Sequence, residues 1–405
     1  LTFDFKRNPM KLASRTADVP ASETLAITAR AAQLRAQGKD VIGFGAGEPD
    51  FPTPKHIIDA AKRGLDEGWT RYTAAGGHPL VLKAVADHLN KQFGLSVEPN
   101  QTIVSCGGKH TLYNAMMCLV NPGDEVLLPS PYWVTYPVQI HMAGGTTVAV
   151  PASSENGFRI TVEDLERAWT PKTRGIILNS PSNPTGAAYD LSQLEAIAAF
   201  VREKDLWVVS DEIYARLAYD GFDCRFFATL PGMAERTVTV YGLAKTYSMT
   251  GWRIGIAAGP KPLIDAMGRL QGQVTSNPTS VAQFATIAAL TQPDDFIGEW
   301  LTAFDARRRF MVEALNAIPG VKCNLPEGAF YAFPDLRAYL GRSWNGKALE
   351  TDWDLINYLM DEALVALVPG SPFGAAGFAR LSYATSMDSI EKGLDRLSKA
   401  LARLT

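Results

Sequence analysis

The sequence predicts an α/β protein in which a large domain holds a mostly parallel seven-stranded sheet between helices. A smaller α+β domain built from both chain ends is predicted beside it. The length of 405 residues exceeds what one ordinary core accommodates. Short apolar runs alternate with helical patterns through the middle of the chain, which is typical of parallel sheets. After about residue 290 this alternation stops, which indicates the second domain.

Seven apolar segments are the predicted strands of the sheet. Several are continuous apolar runs without polar alternation, as expected for strands buried on both faces. The predicted strands are Thr102–Ser105, Glu125–Leu128, Thr146–Val150, Gly175–Asn179, Trp207–Ser210, Thr237–Tyr241 and Ile254–Ala258. Helices are predicted between them at Lys109–Leu119 and Leu191–Glu203, and the first of these has an apolar face.

The smaller domain is predicted from segments that lie before and after the sheet. Phe304–Leu315 has the pattern of a charged amphipathic helix, with Arg307-Arg308-Arg309 on its solvated face. The other expected elements are helices at Thr24–Gln37 and near Asp354–Ala363, and strands at Phe330–Phe333 and Ala379–Tyr383. The segment Val41–Phe44, which precedes the sheet, is expected to join this domain. The predicted limits are a tail at 1–13, small-domain parts at 14–54 and 296–405, and the large domain at 55–295.

Composition and charge exclude several classes of protein. A hydrophobic content of 46% and a charged content of 20% are those of an ordinary globular protein. A net charge of −3 gives no general attraction to nucleic acid or to anionic membranes. The first ten residues lack a signal-peptide pattern, and the chain lacks an apolar run long enough to span a bilayer.

The four cysteines form no C-x-x-C pair and have no histidine at metal-ligand spacing. We therefore expect free thiols in a reducing compartment, a cytoplasmic location and no metal.

Lys245 is the first candidate for chemistry. It lies among small and apolar residues, and Arg253 follows eight positions later. A lysine with a lowered pKa can form an imine with an aldehyde cofactor, and a nearby arginine can clamp a phosphate. Taken alone, a lysine is more often a solvated surface group.

Further polar groups follow the ends of predicted strands, where ligands bind in open parallel sheets. Gly107-Gly108-Lys109 opens a helix, Asn183 lies between two prolines, and Asp211 precedes Tyr214 by three residues. Each has an ordinary alternative, such as a tight turn or a helix-capping aspartate. Together they supply a phosphate turn, an amide, an acid with a tyrosine, a lysine and an arginine, which a pyridoxal-phosphate site needs.

With these residues the chain resembles the class I aminotransferases, which are fold type I pyridoxal-phosphate enzymes. Within that family it is most similar to the bacterial aspartate and aspartate/prephenate aminotransferases. The resemblance runs from about Ser14 to the C-terminus. It rests on five motifs, which are Gly45–Phe51, Ser180–Gly186, Ser210–Tyr214, Lys245–Gly255 and Arg380–Ala384.

The resemblance implies roles toward pyridoxal 5'-phosphate at the matching positions. Lys245 would form the Schiff base, and Asp211 would pair with the pyridinium nitrogen and keep it protonated. Tyr214 and Asn183 would hydrogen-bond the cofactor's ring oxygen, and Trp133 would stack on the ring face.

The remaining roles concern the phosphate and the substrate. Gly107, Gly108, Lys109 and Arg253 would hold the phosphate region. Tyr72 would reach the phosphate in the neighbouring subunit, which implies a homodimer with shared active sites. Arg380 would grip the substrate α-carboxylate near the Gly47 backbone, with Lys109, Trp133 and Asn183 also at the substrate.

Several of these residues have ordinary interpretations too. Trp133 is compatible with core packing and with stacking at once. Arg380 could form a surface ion pair, but its apolar neighbours favour a functional role. In the resembling subgroup a lysine after Gly-Gly contacts the distal carboxylate of dicarboxylic substrates, which implies the same role for Lys109. A first-turn helix lysine in solvent is an equal alternative. His110 and His141 have no partner pattern and are interpreted as structural or surface residues.

Two positions depart from the family pattern. Gly242 stands three residues before Lys245, where the family often has a Ser or Thr that contacts phosphate. The segment Asp18–Ser22 lacks the basic residue that precedes Pro-Ser in prephenate-using relatives, which argues against prephenate.

The expected reaction is a ping-pong amino transfer from aspartate or glutamate to 2-oxoglutarate or oxaloacetate, with Lys245 as general acid and base. The alternatives on the same fold are a lyase, or an aminotransferase for aromatic, alanine or prephenate substrates. A transcription regulator with an aminotransferase-like domain is disfavoured, because fewer than about 20 residues precede the family match, too few for a helix-turn-helix unit.

Overall fold

The computed structural model describes residues 12, 13, 16, 19–21 and 23–405. Most of the predicted tail 1–13, together with Ser14, Asp18 and Ser22, lies outside the described residues. The α-helices of the described part are α1 (Glu23–Ala36), α2 (Lys55–Asp66), α3 (Pro79–Phe93), α4 (Gly108–Leu119), α5 (Thr135–Met142), α6 (Val162–Ala168), α7 (Leu191–Glu203), α8 (Leu243–Thr246), α9 (Lys261–Val274), α10 (Ser280–Thr291), α11 (Phe296–Asn316), α12 (Asp352–Tyr358) and α13 (Met387–Leu401). The strands are β1 (Ile42–Gly43), β2 (Thr102–Ser105), β3 (Glu125–Ser130), β4 (Thr146–Pro151), β5 (Thr173–Asn179), β6 (Trp207–Asp211), β7 (Thr237–Tyr241), β8 (Gly255–Ala258), β9 (Tyr331–Ala332), β10 (Ser343–Trp344), β11 (Lys347–Ala348), β12 (Val365–Ala366), β13 (Val368–Pro369) and β14 (Ala379–Ser382).

The predicted seven-stranded sheet is confirmed. Its strand order is β2-β8-β7-β6-β5-β3-β4, and the seven predicted segments supply its seven strands. Pairing is parallel from β4 through β7, whereas β8 runs antiparallel to both of its neighbours. Because β8 is reversed, the residue before it, Ile254, and the nearby Arg253 lie at the edge where the parallel strands end.

Helices pack on both faces of this sheet, as alternate residues of β5 show. Ile176 and Leu178 join the buried cluster that contains Phe200 of α7, whereas Ile177 joins the cluster that contains Met116 of α4. Side chains of successive strand residues point to opposite faces, so one apolar run serves two cores. Each fully buried apolar side chain of this size contributes about 1.5–3 kcal/mol.

A separate buried cluster joins residues from both chain ends. It contains Phe44 beside β1, Phe304 and Leu315 of α11, Leu381 of β14 and Leu397 of α13. β1 pairs in parallel with β12, and β14 lies between β13 and β9 in an antiparallel sheet. This packing agrees with a small unit built from both ends, and the exact domain limits stay a prediction.

The helix expected near Asp354–Ala363 begins at Asp352, and its last turn, Leu359–Ala363, is a π-helix. The amphipathic helix expected at Phe304–Leu315 is the inner part of the longer α11.

The prediction that Arg307-Arg308-Arg309 lies on a solvated face is wrong for Arg307 and Arg308, whose side chains are 13% and 1% exposed, whereas the Arg309 side chain is 51% exposed. The Arg308 side chain is 1% exposed and donates hydrogen bonds to a carboxylate oxygen of Asp220 at 2.6 Å and to the Pro326 carbonyl oxygen at 2.6 Å. Its guanidinium also lies over the Tyr219 ring, 4.4 Å from the centroid. Consecutive residues of an α-helix do not face the same direction, so three adjacent arginines cannot share one face.

Candidate active site

A cavity of about 480 Å³ opens where the parallel strands of the large sheet end and where the segment after β1 crosses them. The predicted site residues that line it are Gly47, Gly108, Lys109, Trp133, Asn183, Asp211, Tyr214, Lys245, Arg253 and Arg380. The fold therefore brings together side chains that follow five different strands. Gly107 lies beside this cavity against Arg253, and Tyr72 lies elsewhere on the surface.

Lys245 lies in the short helix α8, which follows the end of β7. Its ammonium donates a hydrogen bond to the carbonyl oxygen of Gly47. Burial lowers the pKa of Lys245 to about 8, and the positive charge of Arg380 acts in the same direction. Such a lysine is partly neutral near neutral pH, as a nucleophile or a base requires.

Asp211 is the last residue of β6 and is 5% exposed. One carboxylate oxygen accepts a hydrogen bond from the Tyr136 hydroxyl at 2.7 Å, and the other accepts one from the Ile213 N–H at 3.2 Å. Burial raises the pKa of Asp211 to about 6, although these hydrogen bonds oppose the rise. The residue therefore places an anion on the cavity wall, where a cationic partner would be stabilised.

Arg380 projects from β14 into the same cavity and is 3% exposed. Its two terminal nitrogens donate to the Asn183 side-chain oxygen at 2.9 Å and to the Gly45 carbonyl oxygen at 3.0 Å. Its Nε is buried without a hydrogen-bond partner in the described part of the chain. The alternative of a surface ion pair is therefore wrong, because this guanidinium is buried and pairs with neutral oxygens.

Tyr214 is buried at 3% exposure, and its hydroxyl is 3.0 Å from the hydroxyl of Tyr331 in β9. The guanidinium of Arg380 lies over the Tyr331 ring, 4.6 Å from its centroid. Tyr331 thus links the tyrosine after β6 to the arginine of β14.

Gly107 and Arg253 form a tight pair at the start of α4. Gly107 has a φ of +91°, and a Cβ on it would lie 2.4 Å from a terminal nitrogen of Arg253. Arg253 itself has a φ of +56°, and one of its terminal nitrogens donates to the Thr250 carbonyl oxygen at 2.9 Å. A helix start with a glycine and an arginine attracts anions, because free N–H groups and positive charge meet there.

Lys109 and Trp133 contact each other across the mouth of the cavity. The Lys109 ammonium lies 5.1 Å from the centroid of the Trp133 ring, and Trp133 packs edge-on against Tyr136. Burial and the Arg253 charge lower the pKa of Lys109. Trp133 is half-buried, so it serves the core and the cavity together.

Tyr72 is 88% exposed and does not line the cavity of its own chain. The segment that carries it is held from inside, because the buried Gln283 donates to the Thr73 hydroxyl at 3.0 Å. The predicted role of Tyr72 in a neighbouring subunit stays a prediction.

Sequence reasoning missed Tyr136 and Tyr331, which both line the cavity. Tyr136 follows Trp133 by three residues, but Trp133 lies two residues before α5 begins at Thr135, so helical spacing does not predict that the two rings meet. No local pattern marks Tyr331, because its partners are distant in the chain.

The position of Gly242 leaves little room for a side chain. A Cβ there would lie 2.7 Å from the terminal methyl of Ile213, so the hydroxyl residue common in the family would require that side chain to shift. Among the described residues no cluster could hold a metal ion, and no helix is both long and apolar enough to cross a bilayer.

Comparison with known proteins identifies the family to which this chain belongs. The family model for class I and II aminotransferases matches residues 39–397. The chain is 46% identical to an aspartate/prephenate aminotransferase of Cereibacter sphaeroides, covering 97% of this chain and 99% of the relative, and 46% identical to an aspartate aminotransferase of Geobacillus stearothermophilus, covering 96% and 98%. The crystal structure of the Rhizobium meliloti aspartate aminotransferase superposes with a TM-score of 0.94 at 44% identity, over 98% of this chain and all of that one. The chain therefore belongs to the class I and II aminotransferases and is an aminotransferase.

Proposed function

We propose that this enzyme transfers the amino group of aspartate or glutamate to a 2-oxo acid, using pyridoxal 5'-phosphate. The observation that carries the proposal is the shared cavity of Lys245, Asp211, Arg253 and Arg380. The names of the relatives, which are aspartate aminotransferases, support the choice of substrate.

Several features of the cavity fit this cofactor. The N-terminus of α4 with Gly107, Gly108 and Arg253 suits its phosphate, and the buried Asp211 suits a protonated ring nitrogen. Trp133 suits the ring face, while Asn183 and Tyr214 suit the ring oxygen. Pyridoxal phosphate, when bound, supplies an aldehyde that condenses with amines and a ring that accepts electron density from the substrate Cα.

The protein's own groups do the positioning and the proton transfer. Arg380 binds the substrate α-carboxylate through its planar guanidinium, which fixes the orientation of the Cα–H bond. The Lys245 amine, with a pKa near 8, takes the Cα proton and later returns a proton. The Gly47 carbonyl oxygen holds the Lys245 nitrogen at the cavity wall.

Lys109 is the proposed contact for the distal carboxylate of the substrate. Its ammonium reaches the cavity mouth beside Trp133, and its alternative role is that of a solvated helix residue. We expect Lys109→Ala to lower kcat/KM for aspartate by about tenfold or more while leaving alanine transamination unchanged. Lys261→Ala, on the surface of α9, is the matched control. Unchanged aspartate kinetics in Lys109→Ala would exclude the distal-carboxylate role.

The cofactor is tested by the absorbance of the reconstituted enzyme. An imine band is expected in the parent chain and not in Lys245→Ala. Amino donors are then screened against 2-oxoglutarate and oxaloacetate, and weak activity with both dicarboxylic donors would contradict the proposed specificity.

A homodimer with shared sites and a cytoplasmic location complete the proposal. The homodimer follows from the resemblance, which assigns Tyr72 to the site of a neighbouring subunit, and the 88% exposure of Tyr72 leaves its side chain accessible for that contact. The four free cysteines support a reducing compartment.

A further inference from the structure

Tyr136 belongs to no motif that predicted the site, yet its side chain contacts the buried acid of the cavity. It lies in the first turn of α5 and is 2% exposed. Its hydroxyl donates to Asp211 at 2.7 Å, a short distance typical of a hydrogen bond to a carboxylate. Its ring packs edge-on against Trp133, with centroids 5.4 Å apart.

We propose that Tyr136 is a positioning residue that fixes the Asp211 carboxylate and the Trp133 ring in one arrangement. The inference rests on the proposed role of Asp211 toward the cofactor's ring nitrogen. Asp211 is an acid whose two oxygens each have one protein donor, Tyr136 on one and the Ile213 N–H on the other. Two donors on different oxygens fix the plane of the carboxylate and leave its remaining acceptor sites to the cavity.

The Tyr136 hydroxyl also affects the protonation state of Asp211. The titratable groups around Asp211 are Tyr136 of α5, Tyr214 and Glu212 after β6, and Lys245 of α8. Burial raises the pKa of Asp211, and the Tyr136 hydrogen bond is the largest influence that lowers it. Burial and the Asp211 charge raise the pKa of Tyr136 well above 10, so its hydroxyl stays a donor throughout the working range. The hydrogen bond therefore keeps Asp211 ionised at a pH where burial alone would favour its protonated form.

The test is Tyr136→Phe in the holoenzyme, which removes the hydroxyl and keeps the ring. We expect kcat to fall about tenfold with KM for the amino donor unchanged. The acid limb of the kcat–pH profile should move upward by about 1–2 pH units, because Asp211 gains a proton more readily. The pH titration of the bound cofactor's absorbance should move in the same direction, which supplies a readout besides activity.

Tyr358→Phe is the matched control. Tyr358 is a buried tyrosine whose hydroxyl donates at 2.8 Å to the Ala400 carbonyl oxygen, away from the cavity. This variant measures the effect of losing a buried hydroxyl far from the cavity. We expect no change in the kcat–pH profile or in the pH titration of the cofactor absorbance. If Tyr136→Phe fails to fold, Tyr136→Met fills the same space with a flexible apolar chain and must show the same shifts.

Asp211→Asn separates this inference from the proposed function. If Asp211→Asn changes the absorbance and kcat while neither Tyr136 variant shifts a pH profile, the role of Tyr136 is wrong and that of Asp211 stands. If Asp211→Asn itself leaves kcat and the absorbance unchanged, the proposed role of Asp211 fails and the inference fails with it.

Discussion

The Lys245 ammonium donates a hydrogen bond to the Gly47 carbonyl oxygen across 198 residues of sequence. The lysine belongs to α8, which follows β7 of the large sheet, whereas Gly47 follows β1 and lies three residues after Phe44 of the buried cluster that joins the chain ends. The cavity wall therefore combines a side chain that follows the large sheet with a backbone carbonyl from the N-terminal part of the chain. Arg380 makes the same connection, since it donates to Gly45 across 335 residues.

The reactivity of Lys245 should follow a low pKa. In the cofactor-free enzyme we expect modification of Lys245 by an amine-reactive aldehyde to rise with pH around a midpoint of about 8, because the neutral amine is the reactive form. Peptide mapping of the labelled lysine across a pH series measures this. Arg380→Gln removes a cation that lowers the pKa of Lys245, so its midpoint should be higher. A midpoint near 10.5, the ordinary value for lysine, would contradict the buried environment.

Arg380→Lys should separate planar recognition from charge alone. Lysine keeps the positive charge but cannot donate from two planar nitrogens, as Arg380 does to Asn183 and Gly45. We expect a loss of about 2–5 kcal/mol in transition-state stabilisation, read from kcat/KM in both half-reactions. Equal losses for the amino acid and the 2-oxo acid are expected, since both carry the α-carboxylate. A loss confined to one of them would show that Arg380 binds something else.

Gly107→Ala should weaken cofactor binding more than it weakens folding. The added Cβ would lie 2.4 Å from Arg253, so the arginine must move. Gly123→Ala is matched to it, because Gly123 has the same φ of +91° and open space where its Cβ would lie. Both variants place a Cβ on a residue with positive φ, and Gly107, with a ψ of 158°, lies in a region essentially restricted to glycine, where strain costs about 1–3 kcal/mol. Only Gly107→Ala should raise the dissociation constant of pyridoxal phosphate, measured by fluorescence titration. Equal affinities of the two variants for pyridoxal phosphate would show that the Gly107 turn does not bind the phosphate.

Arg308→Ala should destabilise the protein by about 3 kcal/mol, measured by urea unfolding of the full chain. The Pro326 carbonyl oxygen would lose its donor in a buried setting, and the Tyr219 ring would lose its cationic neighbour. Arg309→Ala is the comparison, because both arginines pair with the carboxylates of Asp220 and Asp305, but the Arg309 side chain is 51% exposed. Solvent screening should make its loss smaller. Similar losses of unfolding free energy in both variants would mean that the burial of Arg308 does not increase its contribution to stability.

The seven strands could be read from the sequence because strands buried on both faces leave uninterrupted apolar runs. Gly175–Asn179 and Trp207–Ser210 are such runs, and each observed strand extends them by two residues or fewer. Asn183, Asp211 and Lys245 could then be predicted as site residues, because ligands bind at the edge where parallel strands end and these residues lie at or after strand ends.

The Arg307-Arg308-Arg309 run shows where local pattern was insufficient. Composition alone suggested a solvated charge cluster, but burial of one arginine depends on Asp220 and Pro326, which belong to other parts of the chain. Similarly, Tyr331 carries no local signal, and its contact with Tyr214 spans 117 residues.

By itself, the sequence determined the α/β class, the seven strands and the residues that follow them, because periodicity and chain order are local properties. Only the tertiary structure decided which groups meet in the cavity, including Tyr136 on Asp211, Tyr331 on Tyr214 and Gly47 on Lys245. These contacts join residues 75 to 198 positions apart. Hydrogen bonds and pKa shifts depend on distance and burial in space, and the linear order of residues does not specify either.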